Sequence, residues 1–288
     1  MKLKRALGWL AMLLAAMVIL LMILKESREP YLWLFADDLL RPKPPPLSMP
    51  VADGLAVHLY ADPRPHIGKV ARLQKGLVLV VDGATPGPGG GMERIEEGFG
   101  FGLPLIEFDG QVYLSRSASV EGGGETLHKT YHMDIVDTPS GFLRRKYEPV
   151  PSIGTVSVHY RRTGPGIIEV TADFSGLRVA WDRAYLMNEQ GARFFTRYEE
   201  PGLAVEGEAF GRWQPTTARR GCIVAEDGIV RFCVETDDQM LRYYGRERYN
   251  QYYWIGIYSL SWAGIDLELA GPTAEFTYQI RLETIQVE

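Results

Sequence analysis

Phe276-Thr277-Tyr278-Gln279-Ile280-Arg281-Leu282-Glu283 alternates a large apolar side chain with a polar one through eight residues. Successive side chains on a strand point to opposite faces, so this stretch reads as a strand with one buried and one wet face. A second copy of the pattern lies in Thr155 to Arg161, where Val156, Val158 and Tyr160 alternate with Ser157, His159 and Arg161. A third sets Ile265, Leu267 and Leu269 against Asp266 and Glu268. One-sided burial of this kind belongs to antiparallel sheets.

The turns between these runs support the same fold class. Asp109-Gly110 separates Leu105–Phe108 from Gln111–Leu114, and Gly164-Pro165-Gly166 separates Thr155–Arg161 from Ile167–Phe174. Both are hairpin signals, because Gly and Asp tolerate the positive φ of tight turns. The chain is therefore expected to be mainly β, with a large antiparallel β-sandwich over 51–288. Two smaller β-domains splitting near Val150-Pro151, or a β-barrel, are the alternatives. No repeat is evident.

Outside this region the N-terminus has a different character. Ala6 to Leu24 holds nineteen consecutive uncharged residues, mostly Leu, Ala, Met and Ile. As a helix it would span roughly 28 Å, close to the hydrocarbon thickness of a bilayer. It has no polar face, and it leads into Lys25-Glu26-Ser27-Arg28 rather than a small-x-small cleavage site. The expectation is a single-pass anchor over 6–24 whose partner is the lipid bilayer. Lys2, Lys4 and Arg5 place residues 1–5 in the cytoplasm by the positive-inside rule, and the β-rich domain outside it. Residues 25–50 form the juxtamembrane segment, in which Arg41-Pro42-Lys43-Pro44-Pro45-Pro46 acts as a semi-rigid spacer.

Charge narrows the function classes. The chain carries −5 overall, yet residues 1–28 carry +4, which leaves −9 for the rest. An acidic domain without a Lys/Arg cluster repels a phosphate backbone, so nucleic acid is excluded as a partner. No nucleophile elbow, dinucleotide fingerprint or phosphate loop is present, and no cofactor is implied. The loop Ala84 to Gly91 has no following helix with Lys and Ser or Thr to make a phosphate cradle.

The candidate sites are correspondingly few. Cys222 and Cys233 stand equidistant from Asp227-Gly228, which puts them opposite one another and within disulfide reach. Glu96 and Glu97, beside flexible glycines, are the candidate catalytic carboxylates. Tyr243, Tyr244, Arg246, Arg248, Tyr249, Tyr252 and Trp254 form the candidate binding stretch, since aromatic rings with Arg suit protein interfaces and saccharides alike. His128 and His132 do not make a metal site, because four residues along a strand separate them by about 13 Å. Two functional readings follow. The first is a non-catalytic binding or accessory subunit at the cell envelope, with a membrane-protein partner. The alternative is a carbohydrate-binding or carbohydrate-acting protein using an aromatic cleft with paired carboxylates.

Overall fold

The computed structural model describes residues 12–17, 44–66, 71–81, 99–137, 147–191, 195–211, 213–225, 230–237, 242–253 and 256–284. Twenty strands account for most of it. The N-terminal group is β1 (Leu47–Ala52), β2 (Leu55–Leu59), β3 (Arg64–His66), β4 (Ala71–Leu73) and β5 (Val78–Val81). A run of long strands follows: β6 (Gly100–Phe108), β7 (Gln111–Gly123), β8 (Thr126–Asp137), the short β9 (Tyr147–Pro149), β10 (Thr155–Gly164) and β11 (Ile167–Asp173). Then come β12 (Arg183–Gly191), β13 (Phe195–Glu200), β14 (Leu203–Glu206), β15 (Gln214–Thr216), β16 (Arg220–Ala225) and β17 (Val230–Glu235). The chain closes with β18 (Arg242–Tyr253), β19 (Gly256–Ala270) and β20 (Glu275–Thr284).

Fifteen of these strands form one antiparallel sheet, in the order β14-β13-β16-β17-β20-β11-β10-β8-β7-β6-β12-β19-β18-β15, with β9 on β8. The sheet folds over on itself. Phe101 of β6 meets Phe232 of β17 edge to face at 5.0 Å, and Tyr198 of β13 stacks on Tyr244 of β18 at 3.9 Å. Between the two layers lie the apolar positions that the alternation marks: Val156, Val158, Tyr160, Ile168, Val170, Phe276, Tyr278, Ile280 and Leu282 are all buried. Burying each such side chain stabilises the fold by about 1.5–3 kcal/mol. The mainly β reading and its antiparallel sheet are thus observed, with no split near Val150.

The hairpins form where the turn residues place them. Phe108 pairs with Gln111 around Asp109 and Gly110, whose φ values of 51° and 68° are the left-handed pair of a tight two-residue turn. Gly102 has φ 77°, and a Cβ there would stand 2.9 Å from the Tyr160 hydroxyl, so only glycine fits beneath that ring.

Two expectations change on inspection. Asp266 alternates with apolar neighbours yet is only 7% exposed, and its carboxylate accepts the Asn188 amide at 3.0 Å, beside the register shift between β6 and β12 where Gly102 of β6 is the extra residue. The anchor segment 6–24 lies mostly outside the described residues. Residues 12–17 are helical, with Met12, Leu13, Leu14 and Met17 all exposed. Among the described residues no helix is long and apolar enough to cross a membrane.

A smaller sheet, β1-β2-β5, is fastened to the large one from inside. The buried Lys129 ammonium of β8 donates to the carbonyls of Tyr60 and Lys75, each at 2.7 Å. Gln74 Nε2 donates to Ala61 and Arg116 carbonyls at 3.2 and 3.1 Å. Together they close the base of the β3–β4 hairpin.

Candidate functional site

Polar chemistry collects on the outer face of the strands β7, β8, β10, β11 and β20. The alternation that buries Val158 and Tyr160 necessarily turns Ser157 and His159 outward. Register then aligns the outward residues of five strands into two rows. One row runs Glu121, His128, His159, Thr171, Thr277. The other runs Ser119, Thr130, Ser157, Asp173, Glu275. Strands stand about 4.8 Å apart, so each row reaches roughly 19 Å, with about 6.6 Å between the rows.

Neighbours within the rows interact directly. Glu121 Oε1 lies 2.7 Å from His128 Nδ1. A carboxylate only accepts, so Nδ1 carries a proton, and Nε2 lies 3.4 Å from Thr130 Oγ1. The His128 and His159 rings are stacked, with centroids 4.0 Å apart and planes 3° from parallel. Thr130 and Ser157 hydroxyls meet at 3.1 Å, and those of Thr171 and Thr277 at 2.9 Å. Partial desolvation and the adjacent His128 hold the His159 imidazole below its ordinary pKa, against the opposing pull of Asp173, Glu275 and Glu121. His159 is therefore a neutral ring at physiological pH, beside a carboxylate-oriented one. Such a face can accept and return protons and can hydrogen-bond a polyhydroxylated ligand.

The adjoining half of the same outer face is occupied by its own charges. Arg220 pairs with Glu235 at 3.1 Å and with Glu283 at 3.2 Å, while Arg281 pairs with Glu235 at 3.2 Å. Arg231 binds Glu283, and Arg197 binds Glu199 at 2.9 Å. Beneath this lattice Cys222 and Cys233 are bonded to one another, in direct register across β16 and β17. The expected disulfide is present.

Of the binding residues singled out from sequence, those that the structure describes lie on β18. Glu96, Glu97 and Trp254 lie outside the described residues. Tyr244 is a core residue, 3% exposed against Tyr198, and half-buried Tyr243 turns to the other side and bonds Glu268. Arg246, Arg248, Tyr249 and Tyr252 belong to a hairpin ladder with β19, opposite Ala263, Ser261, Leu260 and Ile257. Among the described residues β12 pairs with β19 from Ala270 to Trp262, and β15 pairs with β18 over Arg242 to Tyr244. Asp134 on β8 accepts the Arg116 amide at 3.0 Å and the Ser117 hydroxyl at 2.7 Å, stitching the bulge in β7. The stacked histidines were missed because they lie on different strands. One contact was within reach: a turn at Gly124-Glu125 puts Glu121 opposite His128.

No family model matches the chain, and no curated protein matches it in sequence. Solved structures of related shape include the 4-alpha-glucanotransferase of Thermococcus litoralis, at 9% identity and TM-score 0.43 over 81% of this chain and 36% of that one. A mutant heparan sulfate lyase HepC from Pedobacter heparinus shares 12% identity at TM-score 0.40, covering 88% and 39%. A galactose mutarotase-like protein from Lactobacillus casei shares 7% identity at TM-score 0.39, covering 83% and 99%. This chain thus spans little more than a third of the first two. At these identities and scores the likeness carries no argument about chemistry.

Proposed function

We propose that this protein is a carbohydrate-binding or carbohydrate-acting protein, with the two polar rows as its saccharide surface. The observation that carries the reading is the make-up of those rows. Ten outward positions in register hold five hydroxyls, two histidines and three carboxylates, with no apolar residue among them. A sugar ring needs paired donors and acceptors about 5 Å apart, and the strand spacing supplies them. The Glu121-oriented His128 beside neutral His159 adds groups suited to proton transfer, which favours a sugar-acting role over passive binding. This replaces the aromatic cleft with paired carboxylates as the site.

The domain is held at the cell envelope, outside the cytoplasm, by the segment 6–24. Its support is the nineteen-residue uncharged run and the exposed Met12, Leu13, Leu14 and Met17. The Cys222–Cys233 bond agrees with an oxidising compartment.

A glycan array probed with the full chain in detergent tests the assignment. Binding to a defined saccharide class, weakened at least about tenfold by His128→Ala with His159→Ala, is the expected result. Failure to bind any saccharide, or binding indifferent to both changes, sinks it. Retention in alkaline-washed membranes, lost on deleting residues 1–43, tests the tether.

A further inference from the structure

We propose that this surface takes uncharged and amino-bearing saccharides and turns away uronates and sulfated glycans. The inference rests on the saccharide reading and specifies its substrate class.

The two rows contain Glu121, Asp173 and Glu275 and neither Lys nor Arg. The arginines that border them are committed elsewhere. Arg161 holds Glu169 at 2.6 Å and Arg162 holds Glu125 at 2.5 Å, while Arg178 donates to the Ser152 carbonyl at 2.6 Å. Further along β20, Arg281 is tied to Glu235. Lys129 sits on β8 between His128 and Thr130, but its side chain points the other way, into the core. A glycan carboxylate or sulfate laid on the rows would meet three carboxylates and, among the described residues, no unpaired guanidinium or ammonium.

Asp173 and Glu275 sharpen the point, because they face each other directly across β11 and β20. Like charges in that relation destabilise a sheet, and an ammonium or a neutral hydroxyl cluster between them relieves the repulsion. Asp173 Oδ1 accepts the Ser175 amide at 2.8 Å. His128 and His159 do not reverse the sign: the first is already paired with Glu121, and the second stands beside the same two acids. At a separation of about 5–7 Å each carboxylate costs an anionic ligand a few-fold in affinity. Three of them give a penalty on the order of tenfold or more at moderate salt.

The test uses the full-length protein in detergent and three hexasaccharide probes matched in length. They are a glucosamine oligomer with free amines, its fully N-acetylated form, and a galacturonate oligomer. Calorimetric titration should show the amine and acetylated probes binding, with the galacturonate weaker by about tenfold or more. The amine probe alone should lose affinity as salt rises. Glu275→Gln, at an exposed position, should narrow the gap between amine and acetylated probes, and Asp173→Asn should do the same while keeping its turn contact. Galacturonate binding as tight as the neutral probe overturns the inference and leaves the saccharide reading intact. Binding of none of the three, together with an empty glycan array, overturns both.

Discussion

His128 and His159 lie face to face, 4.0 Å apart, although thirty-one positions separate them along the chain. The pairing of β8 with β10 brings them together, and the same pairing sets Thr130 against Ser157. Stacking two imidazoles makes protonation of one oppose protonation of the other. His159 also loses hydration in the contact, and both effects lower its pKa from 6.5. Followed by NMR, the His159 ring should titrate with a midpoint below 6.5, and His128→Asn should move that midpoint upward. A His159 midpoint that stays put in the variant would show the contact to be electrostatically idle.

Asp266 predicts a pH dependence of opposite sign to most carboxylates. Burial lifts its pKa to about 7, against the lowering influence of the Asn188 amide. A carboxyl raised in the folded state binds its proton more tightly there than when unfolded. Its contribution to stability is therefore complete below about pH 4 and is lost as pH climbs through 7. The full shift corresponds to an upper bound of about 4 kcal/mol. Asp266→Asn keeps the acceptor and removes the charge, so urea unfolding should show the variant more stable than the parent at pH 8 and near equal at pH 4. Equal stability of the two at pH 8 would mean that Asp266 is solvated in the native protein.

The contrast between Asp266 and Glu121 marks what the sequence makes legible. Period two separates inside from outside on β8, β10, β11 and β20, so the core and the outward set of residues could be read from pattern alone. The Asp109-Gly110 turn likewise fixed its hairpin, and the symmetry of Cys222 and Cys233 about Asp227-Gly228 fixed theirs. Register between strands without a short connecting turn is another matter. Seventeen residues, the strand β9 among them, lie between β8 and β10, so nothing local says that His159 opposes His128 rather than His132. The environment of Asp266 is equally silent, since the Asn188 amide it accepts belongs to β12, far along the chain. Aromatic density near residue 244 is in part structural: Tyr244 is a strand former that fills the core against Tyr198.

Lys129 should act as a staple between the two sheets. Its ammonium is wholly buried, and burial holds its pKa well below the usual value for lysine. Lys129→Met preserves the stem and removes both donors. The Lys75 carbonyl retains the Tyr131 hydroxyl at 3.1 Å. Losing two buried hydrogen bonds from a charged donor costs about 1–3 kcal/mol. Hydrogen exchange should therefore quicken in β2 and at the base of the β3–β4 hairpin and stay unchanged in β10 and β11. Uniform protection throughout would show that the apolar contacts of the small sheet suffice without the staple.

Cys222 and Cys233 should resist reduction for as long as the fold is intact. They are 6% and 0% exposed, and Arg220 Nη2 covers Cys233 Sγ at 3.6 Å while reaching Glu283, with its Nε on Glu235. A reductant must part that lattice of ion pairs to reach the sulfurs. Native protein treated with a phosphine should give little maleimide labelling until denaturant is added, and Arg220→Ala should label measurably faster. Closing a loop with a sequence separation of 11 contributes about 3 kcal/mol by restricting the unfolded chain. Cys222→Ser with Cys233→Ser should lower the urea midpoint accordingly, while saccharide binding at the His128 rows, several strands away, persists. Rapid labelling of the native protein would mean that the ion pairs open freely, and it would remove the lattice as the bond's protection.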